Sequence, residues 1–89
     1  MRKNQFGITR MNLEHLKTFH LFASLGSFTE AAKALYMTQP AVSQQIQGIE
    51  HALRNPLFDR SKRQIRLTAK GKILFSYTQK LFGIFREIE

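Results

Sequence analysis

Gln39, Ser43 and Gln47 stand four residues apart, with Gln44 beside them, in a segment whose apolar residues keep a different phase. Val42, Ile46, Ile49 and Leu53 fall at i, i+4, i+7 and i+11, the period of a helix with one buried face. The polar set therefore stacks along an exposed stripe that carries no acid until Glu50. Amides and hydroxyls at such positions donate and accept hydrogen bonds but are no nucleophile–base pair. A neutral ridge of this kind suits base edges in a DNA major groove, where Gln can pair bidentately with adenine. The same residues also make an ordinary solvated helix face, since Gln is a good helix former. The elements around the segment have to decide between the two.

No other chemistry competes. His15, His20 and His51 lack a spacing that would bring them to one face, so a metal site is not expected. There is no Gly-rich phosphate loop, no carboxylate cluster and no Cys, so neither cofactor nor enzymatic role is expected. The charge is a stronger signal. The 89 residues carry 14 Lys/Arg and 6 Asp/Glu, net +8, and Arg60 to Lys72 holds six basic residues without an acid. Such a cluster draws a polyanion, either nucleic acid or an anionic surface. No apolar run nears the ~20 residues that a membrane span needs. Met1–Arg10 is basic but lacks the apolar centre of a signal peptide, so residues 1–11 are expected to be a disordered arm or an added remnant.

The segment at 38–53 needs neighbours to hold it, and the chain supplies them in order. Asn12 is placed to cap a first helix with Leu13, Leu16, Phe19, Phe22 and Ala23 inward, ended by Gly26. Ser27-Phe28-Thr29-Glu30 is a capping box that opens a short second helix, and its paired Ala31 and Ala32 permit a close crossing. Tyr36-Met37 leads into Thr38, whose hydroxyl can cap the third helix, with Pro40 in the first turn. After Leu53, Asn55 is the expected left-handed cap before Pro56. Short helix, tight turn, longer helix is the helix-turn-helix arrangement.

Beyond Pro56 the period changes to two. Ile65-Arg66-Leu67 and Leu57-Phe58-Asp59-Arg60 are candidate partner strands, and Ser61-Lys62-Arg63-Gln64 forms a basic tip between them. The fold class that follows is mostly α, a winged helix-turn-helix over 12–68 and a long helix over 69–89. That last helix, capped by Thr68, lines up Ile73, Tyr77, Leu81, Ile84 and Ile88, widened by Leu74 and Phe85, with Phe75 and Phe82 on another side. A domain this small cannot cover so much apolar surface, so pairing with a second copy is expected ahead of a membrane-lying role.

These residues also carry a family resemblance. Leu16 to Phe19, Gly26-Ser27-Phe28-Thr29-Glu30-Ala31-Ala32, Leu35, Thr38-Gln39-Pro40-Ala41-Val42-Ser43, Ile46, Glu50, Pro56-Leu57-Phe58-Asp59-Arg60 and Leu67-Thr68-Ala69-Lys70-Gly71 together resemble the N-terminal part of LysR-type transcriptional regulators. The match runs over about 12–89. It implies a cytoplasmic bacterial regulator (a plastid is the other setting) that binds an imperfectly palindromic operator. It further implies a homodimer through the last helix, the linker, and a tetramer in the full-length protein, whose effector domain is absent from these residues. Carried over, Gln39, Pro40 and Ser43 would contact bases, with Gln47 further along the same stripe. Ser27, Thr29, Thr38, Gln44, Arg60, Lys62, Arg63 and Lys70 would meet backbone or minor groove. Three positions depart from the pattern: Asn55 where Gly is usual, a wing tip without its common Gly, and Lys70 where a small or acidic residue is frequent. Gln44, commonly Arg, would weaken one phosphate contact.

Overall fold

The computed structural model describes residues 12–61 and 63–89. The proposed arm and Lys62 lie outside the described residues. Four helices and one hairpin follow in the order α1 (Leu13–Leu25), α2 (Phe28–Leu35), α3 (Gln39–Leu53), β1 (Phe58–Asp59), β2 (Arg66–Leu67) and α4 (Ala69–Ile88). This is the expected winged helix-turn-helix with a long terminal helix. The strands are shorter than the sequence pattern allowed, with Phe58 opposite Leu67 and Asp59 opposite Arg66 in antiparallel register.

Each helix begins where a side-chain oxygen can satisfy an orphan N–H. Asn12 Oδ1 accepts from the His15 amide at 2.8 Å, Ser27 Oγ from Glu30 at 3.2 Å, Thr38 Oγ1 from Ala41 at 3.2 Å and Thr68 Oγ1 from Gly71 at 3.0 Å. Of the expected reciprocal box at α2, the Ser27 half is present, while the Glu30 carboxylate lies 4.0 Å from Lys33. Gly26 ends α1 in the left-handed region at φ 70°, where a Cβ is costly.

The end of α3 corrects the sequence expectation. The left-handed residue is Arg54, at φ 55°, one position before Asn55. The Asn55 amide instead reaches back to the Glu50 carbonyl at 3.1 Å. The physical reason is Pro56: the residue before a proline is pushed toward extended backbone, so the reversal falls earlier. Tyr36 ends α2 in the same way, with the Met37 amide on Ala32 O at 2.9 Å.

The core joins all three helices of the motif to the wing. Phe19 and Phe22 of α1, Ala31 and Ala32 of α2, Val42, Ile46 and Ile49 of α3, and Leu57 and Phe58 at the wing root are buried together. Phe58 packs against both Phe19 and Phe22, with ring centroids 5.5 and 4.6 Å away. Each fully buried large side chain contributes about 1.5–3 kcal/mol of transfer free energy, so this cluster fixes the pose of α3. Thr18 is buried at the α1–α3 crossing without being orphaned. Its hydroxyl meets Gln45 Oε1 at 2.6 Å and Glu14 O at 3.1 Å.

The long helix α4 is seated at its start and along one side. Gly71 is buried against the wing root, where an added Cβ would run into the Leu57 carbonyl oxygen. The Thr68 hydroxyl donates to Pro56 O at 2.8 Å and its amide to Leu57 O at 2.9 Å, which fixes the entry into the helix. Further along, Phe75 and Phe82 flank His20 of α1, and His20 Nδ1 lies 2.9 Å from the buried Thr78 hydroxyl. Among the described residues, no helix is long and apolar enough to cross a membrane.

Candidate nucleic-acid interface

The residues expected to read bases stand on the surface of α3. Gln39, Pro40, Gln44 and Gln47 are exposed and Ser43 is half-buried, while Val42, Ile46 and Ile49 on the other face are sealed in the core. Phe28, Gln39, Pro40 and Ser43 line a shallow notch where α2 meets the first turn of α3. Gln39 is not loose in it. Its Nε2 donates to Thr29 Oγ1 at 3.0 Å, joining two residues from the expected base and backbone sets. Ser27 and Thr38 are engaged as caps through their oxygens, yet each hydroxyl retains a proton to donate.

The wing root stands by the C-terminal end of α3, where one acid adds polar contacts to the shared core. Glu50 Oε2 accepts the amides of Leu57 at 2.7 Å and Phe58 at 3.3 Å, and Glu50 Oε1 lies 3.4 Å from Arg60 Nη1. Arg60 is therefore partly occupied by an intramolecular ion pair that also orders the wing root. Asp59 turns the chain toward the tip by accepting the Ser61 amide at 2.9 Å and the Ser61 hydroxyl at 2.6 Å. That is an Asx-type turn at the entry to the tip. Arg63 and Arg66 are exposed beyond it, and Lys70 is exposed in the first turn of α4.

The proposed pairing surface divides in two. Ile73, Tyr77, Ile84 and Ile88 are exposed at 54%, 63%, 56% and 75%, with Leu81 half-buried beside them. Leu74 is partly buried and also packs against the core of its own domain, together with Phe75. Its phase explains this, because four residues on it meets Thr78, the buried face of α4. Phe85 sits at the border, stacked toward Phe82 with centroids 6.0 Å apart.

Sequence reasoning missed several residues that organise this surface. Gln45 holds Thr18 rather than facing outward, Glu50 binds the wing, and Tyr36 projects 97% exposed from the turn ahead of α3. The Gln45 contact depends on which helices cross and the Glu50 contact on how the wing root folds back, which no local spacing encodes. An aromatic such as Tyr36 reads as core until the backbone places it in a left-handed turn. His20 lies inside a contact, and burial first, then the charge of Arg86, lowers its pKa below the ordinary 6.5. Among the described residues there is no group of acids and histidines that could hold a metal.

The pattern of the bacterial regulatory helix-turn-helix proteins of the lysR family matches residues 13–72. The chain belongs to that family. It is 44% identical over 75 residues to a probable RuBisCO transcriptional regulator of Cyanidioschyzon merolae, covering 84% of this chain and 25% of that protein. A probable RuBisCO transcriptional regulator of Nostoc sp. is also 44% identical, over 84% of this chain and 22% of its own length. The chain thus spans about a quarter of the length of these curated relatives. Among solved structures, the BenM_DBD/benA site 1 DNA complex superposes with a TM-score of 0.82 at 35% identity, covering 88% of both chains. Full-length BenM gives 0.80 at 35% identity over 88% of this chain and 26% of its own. The family's role is transcriptional regulation, which is not an enzymatic one.

Proposed function

We propose that this chain is the DNA-binding part of a LysR-type transcriptional regulator, and that it binds double-stranded DNA sequence-specifically as a homodimer. The observation that carries the reading is the outward face of α3. Its first three turns present Gln39, Pro40, Ser43, Gln44 and Gln47 with no carboxylate among them, while Val42, Ile46 and Ile49 hold the helix rigidly from behind. An α-helix that stands out in this way fits a major groove, and uncharged amides and hydroxyls there discriminate base edges. Arg63 at the wing tip, with Arg60 and Lys70, contacts the sugar-phosphate backbone or the minor groove, and Lys62, outside the described residues, is assigned the same role from its place in the sequence. Ser27, Thr29 and Thr38 donate hydroxyl protons to phosphates beside the helix starts.

The domains divide the work. Residues 12–68 bind DNA, and residues 69–89 form a linker helix that pairs with the same helix of a second copy. The exposed row Ile73, Tyr77, Ile84 and Ile88, with Leu81 and Phe85 at its edge, supports that pairing. Two recognition helices then enter successive major grooves of an imperfect palindrome about 34 Å apart. The full-length regulator is proposed to be a tetramer built from two such dimers, in a bacterial cytoplasmic or plastid setting.

A footprint on duplexes selected from a random pool tests the reading. It is expected to survive physiological salt and to cover two half-sites. With about four phosphates neutralised per monomer, the log–log salt dependence should have a slope near about −7. Uniform, unpatterned protection that disappears at physiological salt would overturn it.

A further inference from the structure

We infer that Thr29 is a positioning residue for base readout, one that fixes which way round the Gln39 amide faces the DNA. The inference rests on α3 being the helix that enters the groove. The primary observation is the bond from Gln39 Nε2 to Thr29 Oγ1, 3.0 Å long and spanning 10 residues from the start of α2 to the start of α3. Both residues are exposed, so this bond is part of the surface presented to a ligand and not a core contact.

A glutamine amide is nearly symmetric in shape but opposite in chemistry at its two ends: the oxygen accepts and the nitrogen donates. An untethered Gln can turn over, and so can answer an amine or a carbonyl at the same place on a base edge. Once the single Thr29 hydroxyl proton is committed to a phosphate oxygen, that hydroxyl can only accept, and Gln39 must present its nitrogen to it. With the nitrogen held on Thr29, the oxygen is the end that points away from α2. Nearby backbone donors do not capture it: Pro40 has no N–H, and the Ala41 amide is taken by Thr38 Oγ1 at 3.2 Å. The Thr29 hydroxyl accepts from Gln39 and keeps its own proton for an acceptor such as a phosphate oxygen. The result is a one-directional chain in which a base amine donates to Gln39, Gln39 to Thr29, and Thr29 to the backbone of the DNA. Successive bonds in such a chain polarise one another in the same sense.

The ligand feature selected is therefore an exocyclic amine in the major groove, adenine N6 or cytosine N4, against the carbonyl of guanine or thymine. The test uses this chain and duplexes enriched from a random pool. Gln39→Ala first identifies the position whose preference depends on Gln39. At that position, changing A·T to G·C with the purine kept on its strand (or C·G to T·A) swaps amine for carbonyl. The wild type should lose about tenfold in affinity on that swap. Thr29→Val, which keeps the shape and removes the hydroxyl, should narrow the ratio to less than about threefold, and Thr29→Ser should restore it. Loss of a phosphate contact alone would lower both affinities and leave their ratio intact, so the ratio reports positioning. In the free protein, the Gln39 side-chain amide protons should shift and exchange faster in Thr29→Val than in Thr29→Ser. A full ratio in Thr29→Val, or a wild-type preference for guanine or thymine at that position, would overturn the inference. A pool from which nothing is enriched, or in which Gln39→Ala selects the wild-type sequence, would instead overturn the groove-reading role of α3.

Discussion

Helices α3 and α4 are both amphipathic, yet they leave opposite faces uncovered. Helix α3 spends its apolar residues Val42, Ile46 and Ile49 on the core and shows solvent a polar ridge. Helix α4 buries Gly71 and Thr78 against the rest of the domain and shows solvent Ile73, Tyr77, Ile84 and Ile88. An exposed amide ridge loses nothing in water and gains from a partner that offers matched donors and acceptors. An exposed isoleucine row is favoured by any partner that removes it from water, and a second copy offers the same row. On the proposed function the two helices take different partners: one is chosen by hydrogen-bond pattern, the other by area.

The contrast can be broken most severely at the seat of α4. Gly71→Ala should cost about 3 kcal/mol in denaturant unfolding, because the new Cβ meets a backbone carbonyl that cannot rotate away. A change below about 1 kcal/mol would mean that α4 is not held there. Ile73→Glu with Ile84→Glu should leave the fold intact but give monomers in sedimentation, and weaken binding to a two-half-site duplex by about 100-fold through lost effective concentration. An intact dimer would move the pairing surface elsewhere. On the α3 side, Gln39→Ala should cost about 1–3 kcal/mol on a selected duplex and almost nothing on random DNA. Arg63→Ala should weaken both alike and flatten the salt slope. Equal losses for the two variants would erase the distinction between reading and anchoring.

The smallest effect concerns the contact between α1 and α4. His20 is held neutral by burial and by Arg86, so its folded pKa lies below the unfolded value of 6.5. Protonation therefore favours the unfolded or undocked state. The contribution of His20 is complete above about pH 6.5 and is lost as pH falls through the lowered folded value. Thermal unfolding followed from pH 8 to 5 should show a decline that His20→Gln reduces.

How much of this was legible beforehand follows from the range of each interaction. The four caps at Asn12, Ser27, Thr38 and Thr68 join residues three apart, and all four stand where the sequence puts them. The phase of α3 and the basic hairpin were likewise written locally. Longer-range pairs were not. Thr18 with Gln45 spans 27 residues and His20 with Thr78 spans 58, and each needs a helix crossing to be known first. The packing of Leu74 against its own core was hidden for the same reason, because a stripe of apolar residues does not say which part faces its own domain. The cap at Arg54 was a local failure, where the constraint from Pro56 outranked the preference of Asn55 for a left-handed turn.

Glu50 has a wider consequence. Because one carboxylate on α3 clasps the amides of Leu57 and Phe58 and also meets Arg60, the hairpin cannot swivel independently of the helix. Whatever rests in the groove and whatever straddles the neighbouring strand move as one stamp, with its two raised features at a set separation. A duplex whose local groove spacing does not match that die must itself bend to be printed, so part of the discrimination is exercised through stiffness rather than through letters.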